Sequence, residues 1–270
     1  MSRLRVYLQL FVNEAISHAA YRFNTFLGTA SRIVFIFVQF AIWRALYGGR
    51  ESMPTDFGSV SLREMTTYVV ISSALAYLVY ADVIERIDQR IKSGEIAIDF
   101  IRPISHLLYH LAGVWGGCLY STVVQLVPMA VLVIAIVGIE LPPTTGAGLL
   151  CVALVPGASL LLFLMSYTLG LVGFWHMSVW QLGAYLWMLI RLCSGAFIPL
   201  WFFPDWLVAA SDYLPFRLLY FAPIATWLGK ITPAEAAVLV AQQWLWIGAL
   251  LVLQRMLWLA GVRKVVVQGG

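Results

Sequence analysis

Charged positions divide this chain into long apolar runs. No Asp, Glu, Lys or Arg occurs from Ile104 to Ile139, and none from Leu141 to Ile190. As one helix the second run would reach about 75 Å at about 1.5 Å per residue, whereas a bilayer core is about 30 Å thick. It must therefore fold back once, and Phe174-Trp-His-Met-Ser-Val-Trp180 is the expected break, because His176 and the two tryptophans suit a headgroup-level turn. The first run reads as a single span closed at Ile139-Glu-Leu-Pro-Pro-Thr-Thr-Gly146, whose paired prolines cannot continue a helix. Applied to the whole chain, this pattern predicts an all-α polytopic membrane protein with six transmembrane helices, at about 30–49, 66–86, 108–138, 146–175, 179–200 and 234–260. A membrane β-barrel would alternate in segments of about ten residues; these runs are continuous in Leu, Val, Ile and Ala.

Two details test the list of spans. The first span carries Arg32 and Arg44, twelve positions apart and so about 18 Å along a helix. Centred in the core, each lies close enough to its own interface to snorkel. The last span opens on Thr232-Pro-Ala-Glu235, a capping box with Pro at the first helical position, and is expected to end at Gly261 before Arg263-Lys264.

Three segments are not spans. Residues 1–22 place Leu4, Leu8, Phe11 and Ala15 on one stripe among Arg3, Arg5, Gln9, Asn13 and Glu14, which predicts an amphipathic interfacial helix; a disordered tail is the alternative. A helix over Val83–Lys92, whose Ile84, Ile87 and Ile91 share a face, leads through residues 87–105, with a break at Gly94 and a second short turn up to Arg102-Pro103. Isoleucines alternating with charges there suit docking on a partner, although a charged run is more simply a solvated connector. Residues 201–232, entered through Ser194-Gly-Ala-Phe-Ile-Pro199, carry Pro204, Pro215 and Pro223 and many aromatics. Such a stretch forms short re-entrant or interfacial helices with their free backbone groups turned to protein or water, or an aromatic belt with a loop.

Composition sharpens this picture. Of 270 residues 61% are hydrophobic and 11% charged, against roughly 45–50% and about 25% in ordinary soluble domains. The excess of 17 Lys and Arg over 13 Asp and Glu is scattered at the ends of apolar runs, so it reads as an orientation signal and not as a nucleic-acid surface. With both termini inside, Arg3, Arg5, Arg22, Arg86, Arg90, Lys92, Arg102, Arg263 and Lys264 fall on the cytoplasmic side, and Arg50, Arg63, Arg217 and Lys230 outside. That distribution follows the positive-inside rule. No removed signal peptide is expected, since no short apolar region with a cleavage site precedes the first span. The cysteines Cys118, Cys151 and Cys193 sit in apolar runs and read as small hydrophobes.

The segment Ile91-Lys-Ser-Gly-Glu-Ile-Ala-Ile-Asp-Phe-Ile-Arg-Pro103, together with Ser194-Gly-Ala-Phe-Ile-Pro199 and Leu214-Pro-Phe216, resembles the membrane subunits of type-2 ABC exporters. The likeness is to the six-span permeases often encoded with a second related permease and a separate ATPase. It extends over nearly the whole chain in span number, N-terminal amphipathic helix and outer re-entrant segment. The resemblance implies a permease dimer, formed with itself or a related chain, in the bacterial inner membrane, with two ABC ATPase subunits below that use ATP and Mg. No cofactor is expected on this chain. It also implies a coupling helix between spans two and three, on which Ile91, Lys92, Gly94, Glu95, Asp99, Arg102 and Pro103 carry the family-like pattern. If the contact is electrostatic, Glu95→Arg and Asp99→Arg should both reduce transport and ATPase stimulation while leaving membrane insertion intact.

Other chemistry finds less support. A P-loop needs Gly-x-x-x-x-Gly-Lys followed by Ser or Thr; the single Gly-Lys pair, Gly229-Lys230, is followed by Ile231 and preceded five positions earlier by Ile224. His106 and His110 have the spacing of a zinc helix but lack the Glu that would follow the first His, so two interfacial histidines are expected. An ion-gradient-driven carrier is the main rival, yet no acid sits deep in spans three to five. Arg191 is the full charge well inside the second long run, three positions before Ser194. It either lines a translocation path with Ser194, Gly195 and Pro199 or pairs with a neighbouring helix. Gly113-Val-Trp-Gly-Gly117 predicts a close helix contact through small residues.

Overall fold

The computed structural model describes residues 3–18, 22–55, 58–176 and 179–268. Helices α1 (Arg3–His18) and α2 (Arg22–Tyr47) lead into a two-stranded antiparallel hairpin, β1 (Ser52–Thr55) and β2 (Gly58–Ser61). The chain continues through α3 (Leu62–Leu78), α4 (Ile84–Lys92), α5 (Ile96–Ile101), α6 (His106–Ser121) and α7 (Val127–Val137). It closes with α8 (Thr145–Leu171), α9 (Trp180–Cys193), α10 (Asp205–Ser211), α11 (Phe221–Trp227) and α12 (Pro233–Gln268).

Capping chemistry sets many boundaries. Ser61 accepts the Glu64 N–H at 3.0 Å while its own N–H donates to the Glu64 carboxylate at 2.7 Å, a reciprocal box that starts α3. Thr232 and Glu235 make the same exchange at α12, and Thr144 caps α8. The α6 and α7 segments form one rod joined by a π-helical turn at Thr122–Leu126. Pro128 follows that turn and has no N–H to return to the preceding coil, so the extra residue in the turn absorbs the mismatch.

Among the described residues, four helical stretches are long and apolar enough to cross a membrane: Thr25–Tyr47, His106–Val137, Thr145–Phe174 and Pro233–Lys264. The other two expected spans are shorter. α3 has 17 residues and α9 has 14, or about 25 Å and 21 Å at about 1.5 Å per residue. The second span was expected to run to residue 86, but its helix stops at Leu78 and the chain is non-helical until α4. The expected stop at Gly261 is also corrected, because α12 continues through it to Gln268. A Cβ at Gly261 would overlap the Phe174 ring, so this glycine serves close packing and not termination. The hairpin adds strand to the expected all-helical fold. Residues 1–2, 19–21 and 177–178, which fall within the expected interfacial segment and the Phe174–Trp180 break, lie outside the described residues.

α8 runs through the middle of the core. Leu161, Leu162, Phe163 and Leu164 cover all sides of it and are fully buried, as are Ala222, Ile224 and Ala225 on the short α11 beside it. By contrast α2, α7, α9 and α12 present Phe26, Val131, Tyr185 and Leu245 outward, the apolar exterior that a lipid environment requires. Arg32 places its guanidinium 4.7 Å from the Tyr77 ring centre and so ties α2 to α3.

Gln243 of α12 donates to the carbonyls of Leu154 and Leu218 at 3.2 and 3.3 Å, against the face of Gly157. A methyl at Gly157 would overlap the Gln243 carbonyl oxygen. Gly157→Ala is therefore expected to eject a buried amide and cost about 2 kcal/mol, measured as a lower thermal midpoint in detergent. An unchanged midpoint would show that Gln243 has another rotamer to occupy.

Candidate functional site: the α4–α5 element and the Ser194 turn

α4 ends where Gly94 takes φ +78°, a left-handed conformation that costs glycine little. α5 then folds back so that Asp99 meets Arg90. The Arg90 Nε donates to Asp99 Oδ2 and Nη2 to Oδ1, both at 2.8 Å, while Nη1 reaches Glu95 at 3.2 Å. Arg102 adds a contact to Asp99 Oδ1 at 3.2 Å. The Asp99 side chain is 3% exposed and that of Arg90 20%, so the fork is shielded from water on the carboxylate side. Hydrogen bonding to Asp99 raises the Arg90 guanidinium above its ordinary value. Lys92 closes a second pair with Asp88 at 2.5 Å. The two short helices are thus stapled into one element.

This element is seated on the core by isoleucines facing glycines. Gly170 and Gly173 of the α8 region leave room for Ile87 and Ile91, whose Cδ1 atoms would lie 3.1 and 3.2 Å from a Cβ at those positions. Ile84 meets Gly183 of α9 in the same way, at 3.4 Å. Arg86 reaches Glu14 of α1 at 2.6 Å, and α1 lies on α6 where Gly116 admits the Phe11 carbonyl. The small-residue contact expected of Gly113–Gly117 thus falls on Gly116, while Gly113 faces open space.

The expected coupling residues separate into two groups. Lys92, Gly94, Glu95, Arg102 and Pro103 are exposed and Ile91 is half-buried, whereas Asp99 points inward as the centre of the staple. Sequence reasoning missed Arg90, which organises the element. It also missed Ile98 and Ile101, which are 50% and 82% exposed three positions apart on α5. An arginine nine positions before an aspartate across a glycine was the available signal for the staple.

His106 and His110 are buried, with their Nε2 atoms 3.1 Å apart. The Tyr167 hydroxyl lies 2.7 Å from His106 Nδ1, Asp99 lies 3.6 Å from His106 Nε2, and Trp258 stacks on the ring at 4.3 Å. They join α5, α6, α8 and α12, so the two histidines are buried among protein side chains.

At the opposite end of α9, Ser194 is fully buried and its carbonyl accepts the Phe221 N–H at 2.9 Å. Gly195 takes φ +78°, and the Tyr68 hydroxyl donates to its carbonyl at 2.6 Å; Ser72 donates to the Ala196 carbonyl at 2.6 Å. A Cβ on Gly195 would come within 2.9 Å of Phe221 Cβ. The turn is therefore strapped to α3 and α11, with Pro199 buried beyond it. Arg191 is exposed on a groove of about 650 Å³ lined by Trp187, Met188, Phe197 and Phe203. Ser194, Gly195 and Pro199 are buried and do not line this groove; of the four expected path residues Arg191 alone does. Beyond it, Lys230 bonds Glu64 at 2.6 Å and the Ser59 carbonyl at 2.8 Å, holding the hairpin to the segment after α11.

A family model described as "ABC-2 family transporter protein" matches residues 24–269. No curated protein and no solved structure matches the chain.

Proposed function

The chain belongs to the ABC-2 family of transporter proteins, as a membrane permease component, and from that premise we propose that it forms the translocation path of an ATP-driven exporter. The ATP and Mg are used by separate ATPase subunits. The observation that carries this reading is the α4–α5 element, stapled by Arg90 and Asp99, seated on α8 and α9, and exposing Ile98 and Ile101. It is the coupling element. Nucleotide-driven closure of the ATPases pushes it, and the isoleucine–glycine contacts pass that push to α8 and α9. α2, α3 and α9 then tilt between inward-closed and outward-open arrangements, with α1 moving alongside through the Arg86–Glu14 pair.

The bilayer is crossed six times, α3 and α9 being the short members, with both termini and α4–α5 on the cytoplasmic side of the bacterial inner membrane. The exposed face of α9 meets a second permease, identical or related, so that the Arg191 groove faces the path between them. Affinity purification of the tagged full chain from its native membranes in mild detergent should bring down a P-loop ATPase. Vesicles holding both should hydrolyse ATP and move solute. Solute accumulation by the purified chain alone under an ion gradient would overturn the proposal in favour of a secondary carrier.

A further inference from the structure

A cavity of about 510 Å³ opens beside α5, between the start of α6 and the second half of α12. Arg102 and Arg255 stand in its walls with Ser105, His106 and Gln254. The Asp99 carboxylate also borders it, held on both oxygens by Arg90 and contacted by Arg102 at 3.2 Å, so one carboxylate is shared by two guanidiniums, Arg255 adds a third, and the local balance is cationic. Arg255 is the one charge of α12 between Glu235 and Arg263. It lies nine positions before Lys264, and so about 13 Å further along the helix axis. No ion pair to it is found among the described residues. A guanidinium at such a depth is costly unless it faces a polar site. Next to it on α12, Met256 and Leu259 are exposed and apolar.

Arg255 and the Asp99-paired Arg102, in a cavity whose lining mixes Ser105, His106 and Gln254 with apolar Leu107 and Trp258 and is bordered by exposed aliphatic side chains at the end of a spanning helix, match a phosphate carried on acyl chains. We propose that this cavity binds the phosphate of an anionic phospholipid from the leaflet on the side of the chain termini, placing a lipid headgroup against the coupling element. The inference rests on the permease reading only in setting this end of the molecule at a membrane surface.

Native mass spectrometry of the full chain in detergent tests it, with phosphatidylglycerol, phosphatidylcholine and inorganic phosphate as separate probes. One phosphatidylglycerol should be retained in preference to phosphatidylcholine, and R255Q should weaken it about fivefold, as expected for one basic group at a membrane surface. R255K should keep the preference. Equal retention of the two lipids, or R255Q binding as the wild type does, would overturn the proposal. Saturable inorganic phosphate that displaces the lipid would also overturn it, pointing to a soluble phosphate compound. The lipid comparison on the wild-type chain decides the matter even if R255Q does not fold. No ATPase or transport enters the readout, so loss of the exporter reading and loss of this site are separable.

Discussion

Arg90→Ala is expected to destabilise the folded chain by about 3 kcal/mol, a larger effect than any substitution on the exposed face of α5. The Asp99 side chain is 3% exposed and takes both of its short contacts from one guanidinium. Removing that partner strands a charge out of water, which costs about 3–5 kcal/mol when nothing replaces it. Arg102 at 3.2 Å takes up part of the deficit. Asp99→Ala should cost less, because the Arg90 head is 20% exposed and can turn to solvent. The double variant should be more stable than the sum of the single effects implies, with a coupling of about 2 kcal/mol. Unfolding of the four chains of this cycle in one detergent measures it, and simple additivity would show that the staple contributes nothing. The same geometry separates two charge reversals that sequence alone treats alike. Glu95 is exposed with one contact at 3.2 Å, so Glu95→Arg leaves the fold intact. Asp99→Arg sets a third guanidinium against Arg90 and Arg102 and breaks the element itself.

Why that difference was hidden from the sequence is a matter of length. Six residues of α5 make fewer than two turns, too few for periodicity to say which of Ile96, Ile98, Asp99 and Ile101 faces inward. Longer features were legible because they rest on local chemistry. The charge-free gaps held two of the four helices long and apolar enough to cross a membrane, His106–Val137 and Thr145–Phe174, the Thr232–Glu235 box started α12, and Gly94 stands at the break between α4 and α5. Features set by distant contacts were not. α3 ends eight residues short of its expected limit, beside a Val79 carbonyl that accepts the Tyr220 hydroxyl at 3.3 Å, 141 positions along the chain. Gly261 carries the composition of a stop, yet Phe174 uses it as a packing surface. The hairpin after α2 is four residues a strand and largely polar, and Tyr47 fixes it by donating to the Val60 carbonyl at 3.0 Å. Arg191 was singled out as a lone charge, but the straps from Tyr68 and Ser72 that shape the turn beside it come from α3, which no local pattern could reveal.

Replacing Ile98 and Ile101 together with alanine should weaken binding of the ATPase subunit by about 2–3 kcal/mol, roughly thirty- to a hundred and fiftyfold, without loosening the permease. Both side chains are largely exposed, at 50% and 82%, so truncating them removes little internal packing and should shift stability by no more than about 0.5 kcal/mol. On the proposed reading these two apolar side chains are buried in the ATPase seat, with the exposed Lys92, Glu95 and Arg102 on the same element, and a few desolvated residues carry most of the energy of such an interface. The surrounding charges then act mainly on encounter. Glu95→Arg should slow association severalfold and flatten or invert its salt dependence while changing dissociation little. Titrating purified ATPase onto the detergent-solubilised chain, with association and dissociation followed separately, distinguishes the two classes of variant. If the double alanine chain binds the ATPase as tightly as the wild type, Ile98 and Ile101 do not contact it. If it also loses its affinity for vesicles, the two isoleucines dip into lipid, and the seat of the ATPase must then be sought elsewhere on the α4–α5 element.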